Sequence, residues 1–233
     1  MKQTSSKQLF MLGVKEALPL ALSVSTSGLV FGLLGKQLGM TMLELTLMSA
    51  LVFAGAAQFA ALPLIASNLD PFSIALTTYI INLRYYLIAA SLLPYWWGNK
   101  TKTNAFRAFF LTDEAYALTI NRYEKGFYST SYYWGVALSI YFGWVGATIL
   151  GVLGGKLIPD PARFGLDFAF PAAFLGLIIP QLKSVDKLIV ALASAVLSIW
   201  GSIYLPGKWY IILAGLAGSS LPLFFSKGEK SNE

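Results

Sequence analysis

Thr78-Tyr-Ile-Ile-Asn-Leu-Arg-Tyr-Tyr-Leu87 places an asparagine and an arginine in the middle of an apolar run, residues 71–97. That run has about the length of a membrane-spanning helix. A guanidinium at bilayer mid-depth costs about 2.5–3.5 kcal/mol on insertion scales, so it must face protein or a wet cavity and find a partner there. The stretch therefore predicts a polar chamber built around Asn82 and Arg84 inside a helical membrane protein.

The rest of the chain agrees. Its 233 residues are 56% hydrophobic and 12% charged, where an average soluble domain is about one quarter charged. Long apolar runs follow one another with short polar gaps, without the alternating segments of about ten residues that mark a β-barrel. The fold class is all-α, a polytopic membrane protein in a single domain. A polar, lysine-bearing lead (1–16) is expected to stay as part of the chain, with residues 8–16 along the membrane surface. The membrane domain is 17–225 and the polar tail 226–233.

Seven segments can be drawn: 17–35, 41–66, 71–97, 128–157, 166–182, 188–204 and 208–225. If all seven cross and the N-terminus is inside, the loop 98–127 lies outside with Lys100, Lys102, Arg107, Arg122 and Lys125. That conflicts with the positive-inside rule. If the second segment breaks near Gly55–Gln58 and returns to its own side, the N-terminus, the 98–127 loop and the tail all lie inside. Such a re-entrant backbone is tolerated where protein covers it or it lines water. Six transmembrane helices plus one re-entrant broken helix is the favoured layout, with seven spans as the alternative. Tyr95-Trp96-Trp97 and Tyr132-Tyr133-Trp134 flank the loop as interfacial anchors should. A weak internal repeat relates Gly28-Leu-Val-Phe-Gly-Leu-Leu-Gly-Lys36 to Thr148-Ile-Leu-Gly-Val-Leu-Gly-Gly-Lys156. A breaker beside paired alanines follows each, at Gly55 and at Pro171. Matching broken helices in two halves point to a transporter core.

The chain has no cysteine and no histidine. Disulfides, thiolate chemistry, His-metal sites and Ser-His or Cys-His catalysis are thereby excluded, so no metal, no cofactor and no enzyme activity is expected. The scattered lysines of a +6 chain suit an anionic leaflet, not a nucleic acid.

Four groups remain as site candidates. On a regular helix Asn82 and Arg84 point to nearly opposite faces, so Asn82 is expected to face the chamber. Arg84 is left between contact with a substrate carboxylate and a tether between helices. Gly55 and Gln58 come next: a half-helix starting there offers free N–H groups and a positive end to a carboxylate. The alternative is a packing glycine and an interhelix amide. Asp113 and Glu114 follow Thr112. Thr112 or Asp113 caps a helix, or a carboxylate there holds an ammonium group or a proton. Glu44 is the next such acid, with pairing to Lys36 as its plainer role, and Asp167 the last. Gly28 and Gly32 form a small-residue face for close helix approach.

Gly28-Leu-Val-Phe-Gly32, Ser49 followed by Phe53-Ala-Gly-Ala-Ala-Gln-Phe-Ala60, Asn82-Leu-Arg84 with a small-residue run to Pro94, and Leu111-Thr-Asp-Glu114 resemble the AzlC/YgaZ family. These are the large subunits of bacterial branched-chain amino acid exporters. The similarity covers nearly the whole chain. The family often has histidine after Asn-Leu-Arg, and here it is Tyr85, so no histidine protonation role carries over. The resemblance implies export of leucine, isoleucine, valine and analogues across the bacterial inner membrane by a secondary transporter, with a small multi-span partner of the AzlD type. Proton coupling is compatible with it. The competing reading is a structural or assembly subunit with no substrate of its own.

Overall fold

In the computed structural model the described residues are 5–98, 100–155 and 184–205, with isolated positions at 175, 179, 182, 210, 213, 214, 217, 218 and 220. Nine helices and no strand are found among them: α1 (Ser6–Gln37), α2 (Met42–Leu51), α3 (Gly55–Ala66), α4 (Pro71–Asn82), α5 (Arg84–Trp96), α6 (Thr101–Phe109), α7 (Asp113–Glu124), α8 (Thr130–Gly155) and α9 (Val185–Tyr204). Helices α1, α8 and α9 are each long and apolar enough to cross a membrane; α4 and α5 together make a fourth candidate, bent by 41°. The fifth and seventh segments, the second copy of the repeat after Gly155, and Asp167 lie outside the described residues. Contacts divide the chain into two units, 1–173 and 174–233. In the second, Ser184 caps α9 by accepting a hydrogen bond from the Lys187 N–H.

Local chemistry sets most helix starts in the first unit. Ser5 and Gln8 form a capping box, so the polar lead and the first apolar segment are one continuous helix of 32 residues. Residues 8–16 therefore do not form a separate piece along the membrane surface; they continue the apolar helix and, like it, pack along α8. At about 1.5 Å per residue this helix exceeds a hydrocarbon core of roughly 30 Å, so its first turns extend beyond it. Gly39 at φ +84° ends α1, a conformation that favours glycine. Thr41 and Glu44 box the start of α2. Asp70 caps α4 by accepting from the Ser73 N–H at 2.9 Å, with Pro71 in the first turn. Thr112, rather than Asp113, caps α7, accepting from the Ala115 N–H at 3.2 Å.

Helix α8 is the centre of this unit, packed against α1, α2 and α7. Helices α1 and α8 run parallel: Gly28 lies against Trp144, Gly32 against Thr148 and Lys36 against Gly155. Their backbones are so close that a Cβ on Gly32 would run into the Thr148 carbonyl, and one on Gly151 into that of Leu29. The small-residue face is thus used for helix approach. Helix α7 meets the N-terminal ends of both: Arg122 binds Glu16 at 2.9 Å, and Tyr132 Oη donates to Glu16 at 2.6 Å.

The aromatic residues flanking 98–127 behave differently from lipid anchors. Trp96, Tyr132 and Tyr133 are buried; Trp96 meets Tyr133 edge-on at 5.4 Å, in a cluster with Leu92, Leu111, Tyr123 and Ala137. Trp97 is 83% exposed.

Candidate functional site

Two helix breaks carry the candidate residues. The first separates α2 from α3 at residues 52–54. Phe53 has φ +44°, a left-handed conformation that non-glycine residues rarely adopt. Ala54 has no side chain to cap α3, and Gln58 serves instead. Its Oε1 accepts from the Ala54 N–H at 3.2 Å while its Nε2 donates to Ser49 Oγ at 3.1 Å. Ser49 Oγ meets Thr148 Oγ1 at 2.8 Å, and Thr148 Oγ1 donates to the Trp144 carbonyl at 3.0 Å. Gln58, Ser49 and Thr148 are all wholly buried. This chain of hydrogen bonds ties the break to the central helix. Gly55 opens α3 with its Cα facing the Trp144 ring; a Cβ there would lie 3.0 Å from the ring. Phe31, Phe59 and Trp144 pack together, with centroids 5.7–6.3 Å apart.

The second break falls inside the stretch that dictated the fold. Asn82 ends α4, Arg84 begins α5, and Leu83 between them is held by a tight bond from its N–H to Ile80 O at 3.2 Å. The regular helix assumed for the face argument is therefore interrupted between the two residues. Arg84 Nη1 binds Asp113 Oδ2 at 3.0 Å, with side chains 37% and 45% exposed. Asp113 is the first residue of α7, so its carboxylate also sits at the positive end of a helix. The guanidinium lies 5.2 Å from the Tyr85 ring. Asn82 Oδ1 and Arg84 Nε are buried without hydrogen-bond partners. Glu114 stands next to Asp113, partly buried.

The structure thus joins Arg84 to Asp113. It joins Gln58 to Ser49 and Thr148, and none of Gln58's hydrogen bonds goes to Asn82. Glu44 closes the α2 cap, accepting from the Thr41 N–H at 2.7 Å and Thr41 Oγ1 at 2.8 Å, and makes no ion pair with Lys36. Sequence reasoning missed the Glu16–Arg122–Tyr132 cluster, because the ion pair spans 106 residues. The hydrogen bond from Arg122 to the Glu16 carboxylate, ahead of their charge attraction, holds the guanidinium above its ordinary pKa. Thr148 was also missed; its signal was a hydroxyl in an apolar helix, at the start of the repeat motif.

Apolar helices, two of them interrupted, with polar and charged side chains gathered at the interruptions, define an integral membrane protein. Residues 19–158 match the family described as AzlC protein. A membrane protein of Archaeoglobus fulgidus, named as uncharacterized, is 33% identical over 185 residues, 78% of this chain and 80% of its own. The inner membrane protein YgaZ of Escherichia coli is 31% identical over 191 residues, 79% of this chain and 78% of its own. The branched-chain amino acid transport protein AzlC of Bacillus subtilis is 27% identical over 195 residues, 82% and 74% of the two chains. No solved structure matches. The chain belongs to the AzlC family.

Proposed function

We propose that this protein exports branched-chain amino acids across the bacterial cytoplasmic membrane, as a secondary transporter working with a small multi-span subunit. The name of the Bacillus subtilis relative supports the substrate class. One observation carries the site: a partly exposed guanidinium–carboxylate pair at a helix break, with an unpartnered amide oxygen and guanidinium N–H beside it. A zwitterion is complementary to that set. Arg84 takes the substrate carboxylate as a planar fork. Asp113 or Glu114 takes the ammonium group, or the coupling proton when the site is empty, and Asn82 Oδ1 accepts a further N–H. Substrate entry opens the Arg84–Asp113 pair and replaces each charge's partner, so no charge is left unmatched. Gly55, with the positive end of α3 behind it, and Gln58, which keeps that end in place, form the second wall.

The layout that goes with this function is six spans and a re-entrant pair α2–α3. The parallel course of α1 and α8 supports it, because the chain between them must then cross a net single time, which α4–α5 supplies. The contact of α7 with Glu16 supports it as well, keeping the 98–127 stretch on the side of the N-terminus.

Efflux of labelled leucine from vesicles holding this chain and its small subunit tests the site. Arg84→Ala and Asp113→Asn are each expected to lower efflux about tenfold or more, the effect of losing one charge-assisted contact. Co-purification of the two subunits should be unchanged. Normal leucine efflux by Arg84→Ala would sink the assignment.

A further inference from the structure

Arg107 is a buried cation that the transport reading does not use. It lies on α6 and is 5% exposed. A buried charge ordinarily has a counter-charge, and Arg84 and Arg122 each have a carboxylate. Arg107 has none within ion-pair distance among the described residues. Its Nη1 donates to Asn104 Oδ1 at 3.3 Å and its Nη2 to Thr130 Oγ1 at 3.2 Å, both neutral acceptors. Its Nε is buried with no partner. The guanidinium lies 5.8 Å from the Trp96 ring, which adds attraction but no charge.

The position deepens the imbalance. Thr130 is the first residue of α8, a helix of 26 residues. Arg107 therefore stands at the positive end of a long helix dipole. The Arg107 carbonyl accepts from Tyr133 Oη at 2.6 Å, which fixes α6 against that end. Two positive elements meet, and among the described residues the carboxylate at this end of α8, Glu16, is bound to Arg122 and Tyr132 and not to Arg107, which leaves a field suited to a phosphate group. The guanidinium has five N–H donors, so it keeps capacity beyond its two neutral acceptors. Thr130 is exposed, as are Lys100 and Lys102 at the start of α6, the helix that carries Arg107. Trp97, at the end of α5, and Phe106, next to Arg107 in the chain, are 83% and 59% exposed. Basic residues mixed with exposed aromatic rings, where apolar α5 ends and apolar α8 begins, mark a membrane surface more than an aqueous one.

We propose that Arg107 and the N-terminus of α8 form a binding site for the phosphodiester headgroup of an anionic phospholipid. Lys100 and Lys102 hold the rim, and Trp97 and Phe106 lie among the upper acyl chains. The bound headgroup supplies the counter-charge that Arg107 otherwise lacks.

The full chain in phosphatidylcholine vesicles, with a trace of spin-labelled phosphatidylglycerol or spin-labelled phosphatidylcholine, tests this. The native chain should immobilise the anionic probe preferentially. Arg107→Gln should lower that preference roughly fivefold, while Lys36→Gln, at the other end of α1, should leave it unchanged. Preference retained by Arg107→Gln overturns the proposal. Inorganic phosphate at matched ionic strength should not displace the lipid probe; displacement overturns the lipid assignment in favour of a soluble anion. Thr130→Asp keeps the test decisive if Arg107→Gln does not fold. It places a carboxylate beside the guanidinium, so it should abolish the preference while raising thermal stability. Full preference in that variant would also overturn the proposal.

Discussion

Gln58 illustrates how one side chain holds a helix interruption open. A helix start leaves backbone N–H groups without partners, and in an apolar setting each is costly. Gln58 satisfies the Ala54 N–H with its oxygen and anchors its amide nitrogen on Ser49, itself bonded to Thr148. Gln58→Leu keeps the volume roughly and removes both contacts. It should destabilise the protein by about 1–3 kcal/mol, the cost of buried groups left unsatisfied, read as a shift in detergent unfolding. Stability equal to the native chain's would mean that water or a shifted backbone replaces the amide. The buried amide could be picked out from the sequence, because a glutamine in Phe53–Ala60 has no water to bond. The partner of Ser49, Thr148, could not, since nothing local says which residue 99 positions on will face it. The same holds for Glu16 and Arg122. Arg84 needed a partner and Asp113 was a named acid, but only the fold brings them to 3.0 Å.

At the scale of the element, the two breaks differ in how visible they are. The one before Gly55 is marked by that glycine in an apolar run, a poor helix former, while Pro63, the other breaker in the run, sits inside α3. The one at Leu83 has neither. Asn82, Leu83 and Arg84 all tolerate a helix, so composition gave no reason to expect the 41° bend between α4 and α5. The bend frees Asn82 and Arg84 from the fixed angular separation of a regular helix. Continuity of α1 through its polar start was hidden for a related reason: lysines at positions 2, 7 and 15 read as a polar lead lying along the membrane surface, while the capping box at Ser5 and Gln8 is the start of the long helix. The glycine face was legible, and it fixes the α1–α8 pair. Gly32→Leu puts a side chain where the Thr148 backbone already lies. Over-packing of this kind costs about 1–3 kcal/mol or more. The variant should melt at a lower temperature, and Gly154→Leu, which meets no neighbour, should not.

For the whole molecule, the decisive quantity is the net number of crossings between α1 and α8. Parallel helices need an odd number. In the proposed six-span layout α4 and α5 together give one, α2–α3 returns to its own side and adds none, and α6–α7 stays at the end of the bundle where Arg122 meets Glu16. If instead α2–α3 and α4–α5 both cross, the number is even and α8 would run against α1. The close approaches from Gly28 to Trp144, Gly32 to Thr148 and Lys36 to Gly155 all progress in one direction. A parallel pair also suits the repeat that the motifs at Gly28 and Thr148 hint at, since two copies entering from the same side need no inversion. The chain has no cysteine, so single cysteines can report sidedness without background. Leu38→Cys and Ser67→Cys should be labelled from one side of the membrane by an impermeant maleimide, and Ser6→Cys and Thr103→Cys from the other. Seven full crossings would exchange Ser67 and Thr103 between those pairs. That exchange would leave the parallel packing of α1 and α8 impossible unless the chain crossed once more between Thr103 and Thr130, where α6 and α7, at 9 and 12 residues, are too short to span about 30 Å of hydrocarbon.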